Sequence, residues 1–171
     1  MTVLYSRLSI RGDIPYTFIM KVLIAFATNS SGTDLASQLV EEVLTEKKIE
    51  VERKDIREVS PDSLKKYDYI IFASPSWRTK KGDGMPHEFF LDFIDKSGDI
   101  DFSGLRFAIF GLGDKAYTHF TGAVDELTTF ITSHKGEIIM NPLRIDGFYF
   151  NQHRSEEELI AFANSFASLL G

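Results

Sequence analysis

Short apolar segments alternate with segments of helical period from Lys21 onwards, and this alternation constrains the fold more than any other feature. The predicted strands are 21–26, 49–55, 69–73, 105–110 and 137–145. The predicted helices are 34–47, a short one at 61–66, and three that begin at Pro86, near His119 and at Ser155. Proline suits a first helical position, and Ser155 with Glu158 has the sequence pattern of a capping box.

Strands that alternate with helices predict a parallel sheet covered by helices on both faces. Right-handed crossovers leave few topologies, and five strands favour the order 2-1-3-4-5. We therefore expect an α/β protein, a three-layer α/β/α sandwich, with one domain at 20–171. Pro142 should interrupt the last strand. Residues 1–19 have no clear period and are interpreted as a loosely ordered N-terminal extension; an extra strand or a partner-binding arm is the alternative.

The charge balance limits the kinds of partner. A net charge of −6 argues against a nucleic-acid binder, which needs a basic surface. It is compatible with docking onto basic proteins, although a merely solvated acidic surface is the alternative. There are no cysteines, which excludes disulfides and thiolate metal sites. No apolar run reaches the roughly 18 residues that a membrane-spanning helix needs. We expect a cytoplasmic protein with no membrane contact and no metal.

The first loop at the expected ligand edge is uncharged and rich in hydroxyl groups. It consists of Thr28, Asn29, Ser30, Ser31, Gly32 and Thr33. A helix N-terminus offers free N–H groups and a positive dipole end, so this loop is suited to bind a phosphate. It has no lysine and is therefore not a nucleoside-triphosphate P-loop. A plain capped turn is the alternative.

Two further loops should meet the first at the same edge. The loop after the third strand carries Trp77, the only tryptophan, and the loop after the fourth carries Gly113, Asp114 and Tyr117. Aromatic rings beyond strand ends can act as stacking platforms, while glycines let the backbone approach a ligand. A tryptophan folded onto the core and an ordinary glycine-rich turn are the alternatives. Together the three loops suit a flat, phosphorylated cofactor.

The chain resembles the flavodoxin family from about Met20 to Gly171. The most specific match is the segment 113–125, which begins Gly-Asp-Lys-Ala-Tyr-Thr-His-Phe. It is similar to the family's Gly-Asp-x-x-Tyr-x-x-Phe signature and continues into the following helix. Segment 143–147 also resembles the family, and the absence of an additional loop in the last strand points to the short-chain type. The resemblance implies the flavodoxin-like fold, itself a standard example of ligand binding at a switch point. It also implies a low-potential electron carrier with one non-covalent flavin mononucleotide (FMN).

The resemblance assigns a role to each matching residue. Residues 28–33 match the phosphate loop, Trp77 the inner and Tyr117 the outer aromatic against the flavin ring, and Asp114 a position near its pyrimidine edge. The other matching binding positions are Pro75, Ser76, Arg78, Gly113 and Phe120. Arg78 stands where many relatives have glycine, and the segment 78–81, with Lys80 and Lys81, resembles an insertion.

The family resemblance implies redox partner proteins, such as a flavodoxin or ferredoxin reductase and an electron-accepting enzyme, and a monomer. One alternative is a flavodoxin-fold NAD(P)H-dependent quinone or nitro reductase, but the sequence contains no second glycine-rich nucleotide fingerprint. Another is a flavin-free binding module of the same fold. A phospho-receiver would need paired acids after the first strand, where this chain has Thr28 and Asn29.

Overall fold

Seven strands and four α-helices make up the part of the chain that the structure, a computed structural model, describes, residues 20–171. The predicted extension at 1–19 lies outside the described residues. The strands are β1 (Lys21–Phe26), β2 (Glu50–Asp55), β3 (Tyr69–Thr79), β4 (Gly82–Pro86), β5 (Arg106–Gly113), β6 (Glu137–Ile138) and β7 (Leu143–Asp146). The helices are α1 (Gly32–Glu46), α2 (Glu88–Ser97), α3 (Gly122–Ser133) and α4 (Gln152–Ser168), with 3-10 turns at Ile56–Glu58 and Pro61–Lys66.

The sheet has the order β2-β1-β3-β5-β6, with β7 also paired to β5. All these pairs are parallel, whereas β4 is antiparallel to β3. The predicted order 2-1-3-4-5 is confirmed, because β6 and β7 are two pieces of the predicted fifth strand, separated around Pro142. Seven strands rather than five result from this division and from β4.

Alternate residues of the central strands bury their side chains in two separate cores. On β3, Ile70 and Phe72 face α2 and α3, while Tyr69 and Ile71 face α1 and α4. This two-residue period is the geometry of an extended strand, and it confirms the three-layer sandwich. Phe72 contacts the rings of Phe90, Phe93 and Phe107. Within residues 20–171, no helix is long and apolar enough to cross a membrane.

The segment after the third strand is a β-hairpin, so the expectation of a loop there was wrong. β3 continues to Thr79, and β4 returns beside it with Trp77 opposite Met85 and Ser76 opposite Pro86. Pro86 therefore ends a strand instead of opening a helix. Helix α2 begins at Glu88, and the Nδ1 atom of His87 caps it by accepting a hydrogen bond from the N–H of Phe89 at 3.2 Å.

Three other predicted boundaries also differ from the structure, because tertiary context can override local propensity. β5 continues past Phe110 because its last residues pair with β7. Helix α3 begins at Gly122, three residues after His119. Helix α4 begins at Gln152, and Ser155 is buried within it, so the predicted capping box does not form there.

Candidate functional site

A cavity of about 460 Å³ opens at the carboxyl edge of the sheet. Its walls come from the β3–β4 hairpin and from the segments that follow β1, β5 and β7. These strands are parallel, so their carboxyl ends meet at one edge. Cofactor pockets commonly enclose roughly 300–1,000 Å³. The cavity lies where the strand order predicted a ligand site.

The wall after β1 is the hydroxyl-rich loop that leads into α1. Ser31, the N-cap residue, has a φ of 64°, a left-handed conformation that costs an L residue about 1–2 kcal/mol. Its side chain forms no cap hydrogen bond, and the first-turn N–H groups of α1 have no partner among residues 20–171, so they can donate to a ligand. The Oγ1 atom of Thr28 is buried and has no hydrogen-bond partner among residues 20–171. Such a buried hydroxyl is costly unless a ligand bonds to it.

The carboxylate nearest this loop is paired. Asp34, in the first turn of α1, forms an ion pair with Arg53 of β2. The Nε atom of Arg53 also lies 2.7 Å from Glu41 Oε2, and its guanidinium is over the ring of Phe26. An anion at the helix N-terminus would thus meet N–H groups beside a carboxylate whose charge Arg53 partly offsets.

The β3–β4 hairpin forms the second wall and carries Trp77, whose surface is 49% exposed. Gly84 has a φ of +71°, and a Cβ there would lie 2.4 Å from the Cβ of His119. A Cβ on Gly122 would lie 2.5 Å from the Gly84 carbonyl oxygen. The hairpin therefore packs its backbone directly on the residues that lead into α3, which only glycines at these positions allow.

Hydrogen bonds from two serines fix the base of this hairpin. Ser74 Oγ accepts from the N–H of His87 at 3.0 Å, and Ser76 Oγ accepts from the N–H of Ala123 at 3.0 Å. Burial lowers the pKa of His87. Its imidazole is neutral above this pKa, as its accepting Nδ1 requires. The wall that carries Trp77 is thereby joined to two helices.

The tip of the hairpin holds the three cations of the segment 78–81. Arg78 lines the cavity. Lys81 points to α2, with its Nζ atom 2.9 Å from Asp95 Oδ1. Lys80 is exposed and is not among the lining residues. Of these three cations, only Arg78 therefore lines the cavity.

The loop after β5 forms the third wall, and it is tied to the end of β7. Asp114 Oδ1 accepts from the N–H of Ala116 at 2.7 Å, which shapes the turn before Tyr117. The N–H of Lys115 donates to Asp146 Oδ1 at 2.9 Å. Tyr117 is 67% exposed and lines the cavity, as does Trp77. The two aromatic residues thus belong to the same site.

A fourth wall, which the sequence analysis missed, consists of Phe148, Tyr149 and Phe150. Phe148 is buried, Tyr149 is half exposed and Phe150 is 89% exposed. The hydroxyl group of Tyr149 donates a hydrogen bond to the backbone oxygen of Ser30. Three consecutive aromatic residues directly after the turn that ends the last strand were a signal in the sequence that could have identified this wall.

Twelve of the fourteen predicted binding residues line the cavity, and the two others, Ser31 and Phe120, do not. Ser31 is exposed at the helix cap, and the Phe120 ring lies 5.4 Å from the Nζ of Lys115. The twelve are Thr28, Asn29, Ser30, Gly32, Thr33, Pro75, Ser76, Trp77, Arg78, Gly113, Asp114 and Tyr117. The lining residues that were not predicted are Asp83, Gly84, Leu112, His119, Gly147, Phe148, Tyr149 and Phe150.

Comparisons with known proteins agree with this architecture. The sequence model of the flavodoxin family matches residues 24–160. Probable flavodoxin 2 of Bacillus subtilis (strain 168) is 36% identical over 152 residues, 88% of this chain and 97% of the relative. Crystal structures of oxidised flavodoxins 1 and 2 from Bacillus cereus superpose with TM-scores of 0.78 and 0.77 at 28% and 30% identity. They cover 88% and 86% of this chain and 99% and 98% of their own. The chain belongs to the flavodoxin family.

Proposed function

We propose that the cavity holds one FMN non-covalently, with the phosphate at residues 28–33 and the flavin ring between Trp77 and Tyr117. Membership of the flavodoxin family makes the chain an FMN-binding electron-transfer protein. The observation that carries the residue assignment is the convergence of the uncharged loop 28–33, at the N-terminus of α1, and two exposed aromatic rings on one cavity.

The residues at the phosphate end fit an oxyanion without any lysine. The free N–H groups of the first turn of α1 can each donate a hydrogen bond. The buried Thr28 hydroxyl, which lacks a partner among the described residues, is an additional donor. Gly32 lies against Leu112 and Tyr149, and a Cβ there would already be in contact with both side chains at 3.4 Å. The backbone of the loop is therefore packed closely against these two side chains.

The residues at the ring end fit a flat, largely apolar group. Trp77 and Tyr117 are large aromatic side chains with about half or more of their surface exposed, so a bound ring would cover apolar area on both. Asp114 and the backbone of the β5 loop offer polar groups at the edge. The charged side chains that line the cavity include one cation, Arg78, and two carboxylates, Asp83 and Asp114.

FMN supplies the redox chemistry when it is bound, and the chain sets the environment in which that chemistry occurs. Stacked aromatic residues exclude water from the ring. The two carboxylates of the cavity outnumber its one guanidinium group, so the lining favours the less negatively charged form of a bound group. An uncompensated charge in an apolar site is costly. This arrangement supports a low reduction potential.

We assign the chain as an electron carrier that docks with other redox proteins and is not itself an enzyme. Its partners would be a flavodoxin or ferredoxin reductase as donor and an electron-accepting enzyme, and it would act as a monomer in the cytoplasm. The rival assignment, a flavodoxin-fold NAD(P)H-dependent reductase, requires a nicotinamide site. Steady NADPH oxidation by the purified protein with FMN and a quinone, but no partner protein, would favour the rival.

Titration of the cofactor-free protein with FMN tests the assignment. Trp77 is the only tryptophan of the chain, so its fluorescence reports directly on the proposed ring site. We expect FMN to quench it at a stoichiometry of one, and the complex to have a flavin absorbance spectrum that changes on reduction. Protein that stays colourless after addition of FMN and gel filtration would contradict the proposal and favour a flavin-free binding module.

A further inference from the structure

Tyr149 joins two segments that lie far apart in the sequence and meet at the proposed phosphate site. Its hydroxyl group donates to the backbone oxygen of Ser30. Its ring lies on the first residue of α1, where a Cβ on Gly32 would be 3.4 Å from Tyr149 Cε2. From these contacts we infer that Tyr149 is a clasp that holds the loop 28–33 in its binding conformation and makes the site select phosphorylated over unphosphorylated flavin. This inference rests on the proposed FMN site.

The loop needs such a restraint because its backbone is strained. Ser31 follows the clasped carbonyl group directly and has a φ of 64°. Its side chain does not bond to the helix, so no local cap compensates for this conformation. A peptide unit is planar and trans. A hydrogen bond that holds the Ser30 carbonyl therefore also fixes the direction of the Ser31 N–H, which points the opposite way.

The clasp extends from a fixed base. Phe148, next to Tyr149, is buried in the core beneath α1 and α4. The N–H of Gly147 donates to the backbone oxygen of Gly113 at 2.9 Å, and the N–H of Asn151 closes a turn onto Gly147 at 3.0 Å. The backbone on either side of Tyr149 is thereby fixed by contacts with β5 and with the core. A loop held ready for its ligand loses less entropy when the ligand binds.

Tyr149 is a positioning residue, since it acts through Ser30. Its hydroxyl bonds to the loop at the phosphate end, whereas the ring end of the cavity is formed by Trp77 and Tyr117. Loss of the clasp should consequently weaken the binding of the phosphate and leave stacking of the flavin ring intact. The ratio of the affinities for FMN and riboflavin measures this difference, because riboflavin lacks the phosphate.

The test compares the wild-type protein with Tyr149→Phe and a matched control, Tyr67→Phe. The control removes a hydroxyl that donates to Glu52 beside the start of β3, at the opposite edge of the sheet. The dissociation constants for FMN and riboflavin are measured by quenching of Trp77 fluorescence. In Tyr149→Phe we expect the constant for FMN to rise about threefold to tenfold, the effect of one hydrogen bond, and that for riboflavin to change less than twofold.

Other results of these affinity measurements would overturn either the role of Tyr149 or the proposed FMN site. Equal losses of FMN and riboflavin affinity in Tyr149→Phe, or unchanged affinity for both, would overturn the clasp while leaving the FMN site intact. A wild-type protein that does not bind FMN would overturn the proposed function and the clasp with it. The thermal midpoint of each cofactor-free variant separates selectivity from folding, because a merely structural Tyr149 would lower the midpoint without changing the FMN-to-riboflavin ratio.

Discussion

The side chain of Ser76 caps a helix on which it does not lie. Its Oγ atom accepts a hydrogen bond from the N–H of Ala123 at 3.0 Å, at the second residue of α3. The N-cap residue Thr121 forms no side-chain cap bond itself. A strand residue thus satisfies a free helical N–H, and the Trp77 hairpin is joined to α3.

Replacement of Ser76 by alanine should destabilise the protein because this N–H loses its acceptor. We expect a loss of about 1 kcal/mol in the free energy of unfolding, and a thermal midpoint lower by about 2–4 °C. Urea and thermal denaturation of the cofactor-free protein measure both. Ser168→Ala is the control, since that hydroxyl donates to a carbonyl oxygen near the end of α4. Equal stability of the two variants would disprove the capping role.

Trp77 and Tyr117 should each contribute stacking energy to the bound flavin. We expect Trp77→Ala and Tyr117→Ala each to weaken FMN binding by about 1–3 kcal/mol, by analogy with the stacking of bases on aromatic side chains. Because Trp77→Ala removes the fluorescent reporter, flavin fluorescence is used for both. Leu169→Ala, at an exposed apolar residue at the end of α4, is the control. Affinities within twofold of wild type for both aromatic variants would refute the stacking assignment.

His87 should make the stability depend on pH below about 6.5. Its pKa in the folded protein is lowered from 6.5 by burial, so the unfolded chain binds the proton more readily. The free energy of unfolding should therefore fall as the pH decreases from 6.5 towards the lowered pKa, with no contribution from His87 above that range. Urea denaturation from pH 7.5 to 5 measures this dependence.

The control for this effect is His87→Asn, which keeps a cap acceptor but cannot titrate. Its stability should vary less between pH 7.5 and 5 than that of the wild type. A variant with the same pH dependence as the wild type would show that other groups are responsible. Both proteins should be compared without FMN, so that cofactor binding does not contribute.

Arg78 and Lys81 should differ in their effect on the reduction potential. Arg78 lines the cavity, whereas Lys81 is paired with Asp95 on α2. We expect Arg78→Gln to lower the midpoint potential of the second one-electron reduction by about 20–40 mV, since one exposed charge contributes on the order of 0.5–1 kcal/mol. Lys81→Gln should change it by less. Redox titration of both holoproteins decides, and equal shifts would contradict the distinction.

The positions of strands and helices follow from local burial patterns, which a sequence displays. Nearly continuous apolar runs at 21–26 and 69–73 mark strands that helices cover on both faces, and β1 and the core of β3 lie there. The proline at 142 cannot donate a ladder hydrogen bond, and the last strand divides around it. Loops after parallel strands share one edge, so the convergence of residues 28–33, Trp77 and Tyr117 was predictable.

Other features depend on partners distant in the sequence. Gly82, Asp83 and Gly84 are typical of loops, yet pairing with β3 makes them a strand. Ser155 has a capping sequence, yet α4 begins at Gln152 and buries it. The contact of Tyr149 with Ser30 spans 119 positions, and no local pattern specifies it.

The sequence by itself therefore determined the order of the elements, the two-sided sheet and the edge at which the cavity opens, because these depend on hydrophobic period and on the geometry of parallel strands. Only the tertiary structure decided which backbone groups pair, where the strands and helices end, and which aromatic residues close the cavity. Those depend on hydrogen bonds and packing between segments whose separation along the chain leaves no periodic signal.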